Sequence, residues 1–392
     1  MSLFDELRRV ETRPKRQNEA SFDYLNGSAR PGIAAIRLLF EDWFERLPDS
    51  GKADLRARFR KGEEVSHHGA FFELFCNELL RRSGYEVEVH PTLPNRKKTP
   101  DFLVSRACVP QFYFEATLAA NSEADQAAER RIAELHDTLD RMDSPDYFLD
   151  MEYEGTPEDN VDGRALRGAL GRWLGTLDFN DVVRLSQDGR YQELPRLDWA
   201  LGEFSLTFRP IPKSPELRGQ PGARPVGVVM PGAMRALNTH DAIRTAIERK
   251  AAKYRNLDCP LLVAVNVMDD FCDDDDIYDA LFGEQQVVAR RQRDGGWTHE
   301  QARIPNGAWH GRRGARNVGV SAVIIVHQLV PTTLRVAQVE VIHNPWSAHP
   351  LAADLLPLAQ RSVRLPGGQI DRRPGTSAAD VLGIPKPWPI PD

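Results

Sequence analysis

Three carboxylates follow one another in an order that could support metal chemistry. Glu73 lies in the apolar segment FFELF, Asp101 follows Pro100 at the start of DFLV, and Glu115 lies within FYFEAT. Carboxylate oxygens are the ligands that Mg²⁺ and Mn²⁺ prefer, and such an ion can activate water for attack on a phosphodiester. The pattern predicts a divalent-metal site with Asp101 and Glu115 as ligands. Glu73 would add a third ligand or orient a metal-bound water.

The elements predicted around these residues would bring them together. Residues 68–83 have helical periodicity and end at Gly84, which favours a helix end. Glu73 lies at the margin of the apolar arc of this helix, whereas Glu78 lies at the opposite margin and is predicted to be solvated. Asp101 and Glu115 fall on two consecutive predicted strands joined by a short turn, so we expect them to approach one cation together.

The combination FFELFCNELLRRSGYEVEVHP, TPDFLV and FYFEAT resembles the PD-(D/E)xK nuclease superfamily, which includes restriction-endonuclease-like proteins. In that superfamily a helix with a Glu precedes strands that carry Pro-Asp and then Glu-x-Lys. The resemblance assigns the helix acid to Glu73, the Pro-Asp acid to Asp101 and the first residue of Glu-x-Lys to Glu115. It implies a mixed sheet flanked by helices and Mg²⁺- or Mn²⁺-dependent hydrolysis of DNA, in antiviral defence or nucleic-acid processing.

One position departs from the superfamily pattern. The motif lysine would be residue 117, where this chain has Thr117. A threonine hydroxyl can hydrogen-bond a metal-bound water, but it supplies no positive charge. Lys97 or Lys98 before Pro100, Arg130 or Arg131 on the following helix, or Lys250 or Lys253 on a later helix could replace the lysine. Without such a cation, the domain would be a catalytically silent binding or assembly module; an unrelated α/β interaction protein is a third alternative.

A basic segment between residues 289 and 317 is the predicted nucleic-acid-binding surface. The net charge of the chain is −6, so contact with nucleic acid must be local. Arginines pair with phosphates and indole rings stack on bases. A solvated, Gly-rich loop is the alternative interpretation. The predicted contact residues are Arg290, Arg291, Arg293, Trp297, Trp309, Arg312 and Arg313.

Element patterns predict an α/β protein with four regions. They are a helical extension over 1–65, a nuclease-like core over 66–155, a connector or insertion over 156–225, and a second α/β region over 226–392. Segments VSAVIIVHQL and LRVAQVEVI predict an antiparallel pair. Whether the second region extends the first sheet stays open at this point. The acidic run at 273–276 is interpreted as the cap of a helix that ends at Gly283.

Composition excludes several other classes. No apolar run approaches the roughly 18 residues that a membrane span needs, and the charged N-terminus does not resemble a signal peptide. We therefore expect a cytoplasmic location and no membrane partner. The motifs GxSxG, GxxxxGK[ST] and HExxH are absent. Symmetric cutting of duplex DNA would favour a homodimer or a protein partner, although no motif specifies one.

Overall fold

The computed structural model describes residues 1–94, 98–119, 123–220, 225–231, 239–254, 257–269, 272–291, 297–365 and 368–391. The α-helices in these residues are α1 (Ser21–Gly27), α2 (Pro31–Glu45), α3 (Asp49–Phe59), α4 (Glu64–Arg82), α5 (Glu123–Leu139), α6 (Gly163–Leu174), α7 (Phe179–Gln187), α8 (Thr239–Ala251), α9 (Asp274–Phe282) and α10 (Ala378–Val381). The strands are β1 (Glu86–Val89), β2 (Phe102–Arg106), β3 (Val109–Ala119), β4 (Tyr147–Glu154), β5 (Leu197–Leu201), β6 (Phe204–Pro212), β7 (Val226–Pro231), β8 (Leu261–Val267), β9 (Gln285–Arg291), β10 (Trp297–Arg303), β11 (His310–Gly311), β12 (Gly314–Ala315), β13 (Val320–His327), β14 (Val339–His343), β15 (Ala359–Arg364) and β16 (Gln369–Arg373).

Eight strands form one mixed sheet in the order β1-β2-β3-β8-β13-β14-β15-β16. Strands β1, β2 and β3 are antiparallel neighbours, whereas β3, β8 and β13 run parallel. Strand β14 returns antiparallel to β13, so the antiparallel pair predicted for these two segments is confirmed. The second α/β region therefore extends the first sheet. The fold is the predicted mixed α/β class, with a large mixed sheet flanked by helices.

Contacts divide the chain into two units, and the second unit is an insertion into the first. Unit 1 comprises Met1–Arg13, Ala20–Ala120 and Asn238–Asp392, and unit 2 comprises Pro14–Glu19 and Asn121–Leu237. Unit 2 has its own four-stranded sheet, in the order β5-β6-β4-β7. The predicted boundaries differ here, because β4 was assigned to the core over 66–155 and β7 to the region over 226–392. Both belong to the inserted unit, where β4 pairs with β6 along its full length and with β7.

The large sheet buries a separate apolar cluster on each face. Alternate residues of β8 point to opposite sides, which is the period expected of a strand. Leu262 and Ala264 join a cluster with the phenylalanines of α4 and the aromatic residues of α2. Val263 and Val265 join a second cluster with α8 and α9. Because β8 is buried on both faces, its sequence LLVAVNV is almost continuously apolar. Helix α8 is thereby held against the central strands.

The acidic run caps α9 as interpreted from the sequence. Asp273 is the N-cap residue and forms a reciprocal capping box with Asp276. The helix ends at Gly283, whose φ of +97° lies in the left-handed region. A β-carbon at this position would overlap the carbonyl oxygen of Ile304. Glycine is therefore required for two reasons, its backbone conformation and the close approach of another segment.

Replacing Gly283 with alanine is expected to destabilise the protein by more than about 2 kcal/mol, since the left-handed conformation alone costs roughly 1–2 kcal/mol and the steric overlap adds to it. Gly84→Ala is the matched control, because Gly84 also has a positive φ, +87°, but has open space around the missing β-carbon. Urea denaturation of both variants separates the two costs. Equal losses would show that the overlap is relieved by movement of the chain.

Candidate active site

The register of β2 against β3 brings Asp101 and Glu115 together. Phe102 lies opposite Phe114 in this antiparallel pair. Asp101 comes just before Phe102 and Glu115 comes just after Phe114, so the two acidic residues are neighbours across the hairpin. Asp101 Oδ2 accepts a hydrogen bond from the backbone N–H of Ala116 at 2.7 Å, which holds the carboxylate against β3. Glu115 is fully buried, while Asp101 is partly exposed. The local hairpin thus positions one buried and one accessible carboxylate side by side.

Helix α8 supplies the positive charge at this pair. Lys250 Nζ donates to Asp101 Oδ2 at 3.2 Å and also donates to Glu115 Oε2. Lys253 Nζ donates to the same Glu115 oxygen at 3.4 Å. Lys253 lies in the turn that follows α8, whose last residue is Ala251. The two carboxylates are therefore close enough to contact a single cation, and in the structure that cation is the ammonium of Lys250.

Tyr254 completes the contacts of Glu115, and the sequence analysis missed it. Its hydroxyl donates to Glu115 Oε1 at 2.5 Å and lies 2.6 Å from the carbonyl oxygen of Thr99. Burial and the hydrogen bond to Glu115 raise the pKa of Tyr254, so the hydroxyl keeps its proton. The signal was the sequence RKAAKY at 249–254, which places two lysines and a tyrosine three and four residues apart at the end of α8 and just after it.

Burial and charge act in opposite directions at the central pair. Burial raises the pKa of Glu115, and the neighbouring Asp101 carboxylate raises it further, although Lys250 opposes the change. Burial lowers the pKa of Lys250, but the attraction of Asp101 and Glu115 outweighs it and leaves that pKa raised. Burial and the positive charge of Lys250 lower the pKa of Lys253. Lys250 is consequently held in its charged form by the two carboxylates.

The other candidates for the missing lysine have different surroundings. Thr117 Oγ1 accepts a hydrogen bond from Arg249 Nη2 at 3.1 Å, so α8 also brings a guanidinium to the motif position. Lys98 is exposed, and the ion pairs that the structure gives Asp101 and Glu115 come from α8 instead. Arg131 belongs to the inserted unit, where it donates to the carbonyl oxygen of Pro157 at 3.2 Å. Of the proposed replacements, Lys250 and, at a longer distance, Lys253 are placed at the carboxylates, and Lys97 lies outside the described residues.

Glu73 is buried on α4 and engages an arginine. Arg58 Nη2 donates to Glu73 Oε2 at 2.7 Å. Burial raises the pKa of Glu73, Arg58 lowers it, and the negative charge of Asp101 raises it again. Glu73 therefore lies within electrostatic influence of the pair while its carboxylate is occupied by Arg58. A role as a third metal ligand would require this ion pair to open.

The predicted basic segment divides into an exposed hairpin and a buried anchor. Strands β9 and β10 form the hairpin, and Arg290, Arg291 and Trp297 are exposed on it. Arg312 and Arg313 are also exposed, and Arg293 lies outside the described residues.

Trp309 corrects one predicted contact. Its side chain is fully buried and packs edge-on against Phe282 with ring centroids 5.5 Å apart. It cannot stack on a base, because it fills the apolar cluster beneath α9.

The donors at the pair fit a hard divalent cation. Asp101 and Glu115 offer oxygen atoms that already hold one cationic group, and oxygen is the donor that Mg²⁺ and Mn²⁺ prefer. A second group of potential ligands comprises His240, Asp241 and Glu284, whose ligand atoms all lie within 4.8 Å of one another. Asp241 is bound there by Arg244, and the Nδ2 of Asn306 donates to Glu284. The Asp101–Glu115 pair is the stronger candidate, because one oxygen of each carboxylate contacts the same positive group, the ammonium of Lys250.

Comparison with known proteins adds no family to this description: no protein-family model, curated protein or solved structure matches the chain. Among the described residues, no helix combines the length and the apolar character needed to cross a membrane. The function must therefore be argued from the site.

Proposed function

We propose that the protein is a divalent-metal-dependent nuclease that hydrolyses phosphodiester bonds in DNA. The observation that supports this most is the contact of one ammonium, Lys250 Nζ, with both Asp101 and Glu115. It supplies the positive charge that Thr117 lacks at the lysine position of the PD-(D/E)xK pattern. The site would then contain the three chemical components of that pattern, two carboxylates and a lysine, with the lysine contributed by α8.

Asp101 and Glu115 would hold Mg²⁺ or Mn²⁺, which when bound supplies Lewis-acid polarisation of the phosphate and a more acidic water. Lys250 would contact the same carboxylate oxygens as that ion. Its positive charge would stabilise the negative charge that develops on the phosphate during the reaction. Tyr254 would keep Glu115 Oε1 in place. Arg249 on α8 donates to Thr117 Oγ1 and so adds a further positive group beside β3.

A silent binding module remains the second candidate function, and one observation favours it. The Lys250 ammonium pairs with both carboxylates and Lys253 adds a second cationic contact to Glu115, so two positive charges match the two negative ones. A closed network of this kind can be purely structural. In this case the pair would hold α8 against β3 without binding a metal.

Cleavage assays distinguish the two functions. Purified protein is incubated with plasmid, linear duplex DNA, single-stranded DNA and RNA in Mg²⁺ or Mn²⁺, beside an Asp101→Asn/Glu115→Gln double variant. We expect the parent to cut DNA and the double variant to lose both cleavage and Mn²⁺ binding measured by calorimetry. Glu86→Gln/Glu88→Gln is the matched control, because it removes two exposed carboxylates from the neighbouring strand β1. A parent that neither cuts nor binds Mn²⁺ would support the silent module.

A further inference from the structure

The hairpin of β9 and β10 is a separate two-stranded ribbon. Its strands pair with each other from Gln285 opposite Arg303 to Arg291 opposite Trp297, and they do not join either larger sheet. Most of its described side chains are exposed. An isolated two-stranded ribbon is marginally stable in water, so its persistence depends on support at its base.

That support comes from the end of α9. Arg303 Nη1 donates to Asp279 Oδ1 at 2.7 Å and to the carbonyl oxygen of Gly283 at 2.6 Å. The N–H of Ile304 donates to the carbonyl oxygen of Glu284 at 2.8 Å. Buried Trp309 fixes the chain that follows. The ribbon is therefore anchored at one end while its faces stay open to solvent.

The two faces of the ribbon differ in chemistry. Directly opposed residues of an antiparallel pair lie on the same face, and adjacent residues lie on opposite faces. Arg290 and Thr298 belong to one face. The other, here called the ribbon face, exposes 66% of Val287 and 61% of Trp297. Its members in the central and distal pairs are Val287, Ala289, Arg291, Trp297, His299 and Gln301. Exposed apolar groups beside an arginine and an amide indicate a binding surface.

The shape of the ribbon favours duplex DNA as its ligand. The major groove of B-form DNA, about 12 Å wide, admits a two-stranded ribbon, whereas the minor groove, about 6 Å wide, admits one only when the duplex is bent or widened. Sites for single strands use several aromatic side chains as stacking platforms. Trp297 is the one indole or phenyl ring on the described ribbon strands, and Trp309 is buried. The arginines complement the phosphate charge that flanks the groove.

We propose that the ribbon face enters the major groove of double-stranded DNA. Arginine and glutamine are the side chains that read guanine and adenine edges there, so Arg291 and Gln301 would contact bases and Trp297 would pack against the groove wall. This inference rests on the proposed function for its choice of nucleic acid and adds the strandedness of the substrate. The ribbon face would not bind double-stranded RNA, because the major groove of an RNA duplex is too deep and narrow for side chains to enter.

Binding is tested in EDTA, where cleavage cannot occur, by fluorescence anisotropy with labelled duplex DNA, its single strand, and the corresponding RNA duplex. Arg291→Ala and Arg290→Ala form a matched pair, since each removes one charge from adjacent exposed positions on opposite faces. We expect Arg291→Ala and Trp297→Ala each to weaken duplex binding by about tenfold or more. Arg290→Ala should weaken it by less than about threefold, the loss of one phosphate contact.

Equal losses for Arg290→Ala and Arg291→Ala would overturn the proposal, as would tighter binding to single-stranded DNA or to the RNA duplex. Self-association that disappears in Trp297→Ala, measured by sedimentation, would assign the ribbon face to a second copy of the chain instead. A parallel cleavage assay in Mg²⁺ separates the two proposals. Duplex binding that depends on Arg291 and Trp297, without any cleavage, would refute the nuclease function alone. Cleavage and duplex binding that are both unaffected by Arg291→Ala and Trp297→Ala would refute the role of the ribbon face alone.

Discussion

Replacing Lys250 with methionine is expected to reduce DNA cleavage by about a thousandfold, the range associated with loss of a group that moves a proton or stabilises charge. Lys250 is the cation that contacts both Asp101 and Glu115. Methionine retains an apolar stem of similar length but has no charge. The measurement is the single-turnover cleavage rate in Mg²⁺ and Mn²⁺, with protein in excess over DNA.

Two controls separate a catalytic effect from a folding effect. Lys98→Met removes an exposed lysine that the sequence also nominated, and it should leave the rate unchanged. Mn²⁺ affinity of Lys250→Met should be maintained or increased, because the ammonium no longer competes for the carboxylate oxygens. Loss of cleavage with metal binding intact would place Lys250 in the reaction. Full cleavage by Lys250→Met, or its loss in Lys98→Met, would remove the role proposed for α8.

The second large effect is on stability. Lys250→Met is expected to lower the free energy of unfolding by about 3–5 kcal/mol, since breaking a buried pair leaves an uncompensated charge. Glu115 is fully buried, and its remaining cationic contact, from Lys253 Nζ to Oε2, is long at 3.4 Å. The Glu115→Gln/Lys250→Met double variant should recover most of that loss, because removing both charges is often nearly neutral. Urea denaturation of the four proteins gives the coupling energy, expected to be about 2–3 kcal/mol.

The same pair has a predictable pH dependence. The pKa of Lys250 is raised above its ordinary value of 10.5 in the folded protein. Its contribution to stability is therefore fully present below pH 10.5 and is lost as the pH rises through the higher pKa of the folded state. The stability difference between the parent and Lys250→Met should persist at neutral pH and shrink in strong alkali. Additive losses in the double variant, or a difference that is independent of alkaline pH, would contradict an ion-pair origin.

The local half of the site could be predicted from the sequence because it depends on neighbouring strands. Asp101 and Glu115 lie on consecutive strands whose apolar alternation specifies their faces, and a short turn leaves one simple pairing. The lysine could only be proposed among alternatives. Lys250 and Asp101 are 149 residues apart, and a whole unit is inserted between β3 and its parallel neighbour β8. Periodicity carries no information on a pairing of this range.

The sequence pattern also could not predict which side chains at helix margins and in loops are buried. Glu78, predicted to be solvated, is buried, and Arg46 and Arg82 bind its carboxylate. Trp309 occurs in a Gly- and Arg-rich segment that has the composition of an exposed loop, yet its ring fills a cluster with Phe282. In both cases the deciding partner comes from another element. Amphipathicity describes one helix or strand at a time, so it cannot supply that partner.

The insertion between β3 and β8 imposes an order on events at the ribosome. Asp101 and Glu115 leave the exit tunnel early, but their partner Lys250 follows 149 residues after Asp101. At synthesis rates of about 5–20 residues per second, the acidic hairpin would wait roughly 7 to 30 seconds for its counter-charge. Until β8 follows α8 out of the tunnel, β3 also lacks the parallel neighbour that covers one of its edges. The nascent protein therefore cannot assemble the contact of Lys250 with Asp101 and Glu115 until the whole inserted unit has been translated.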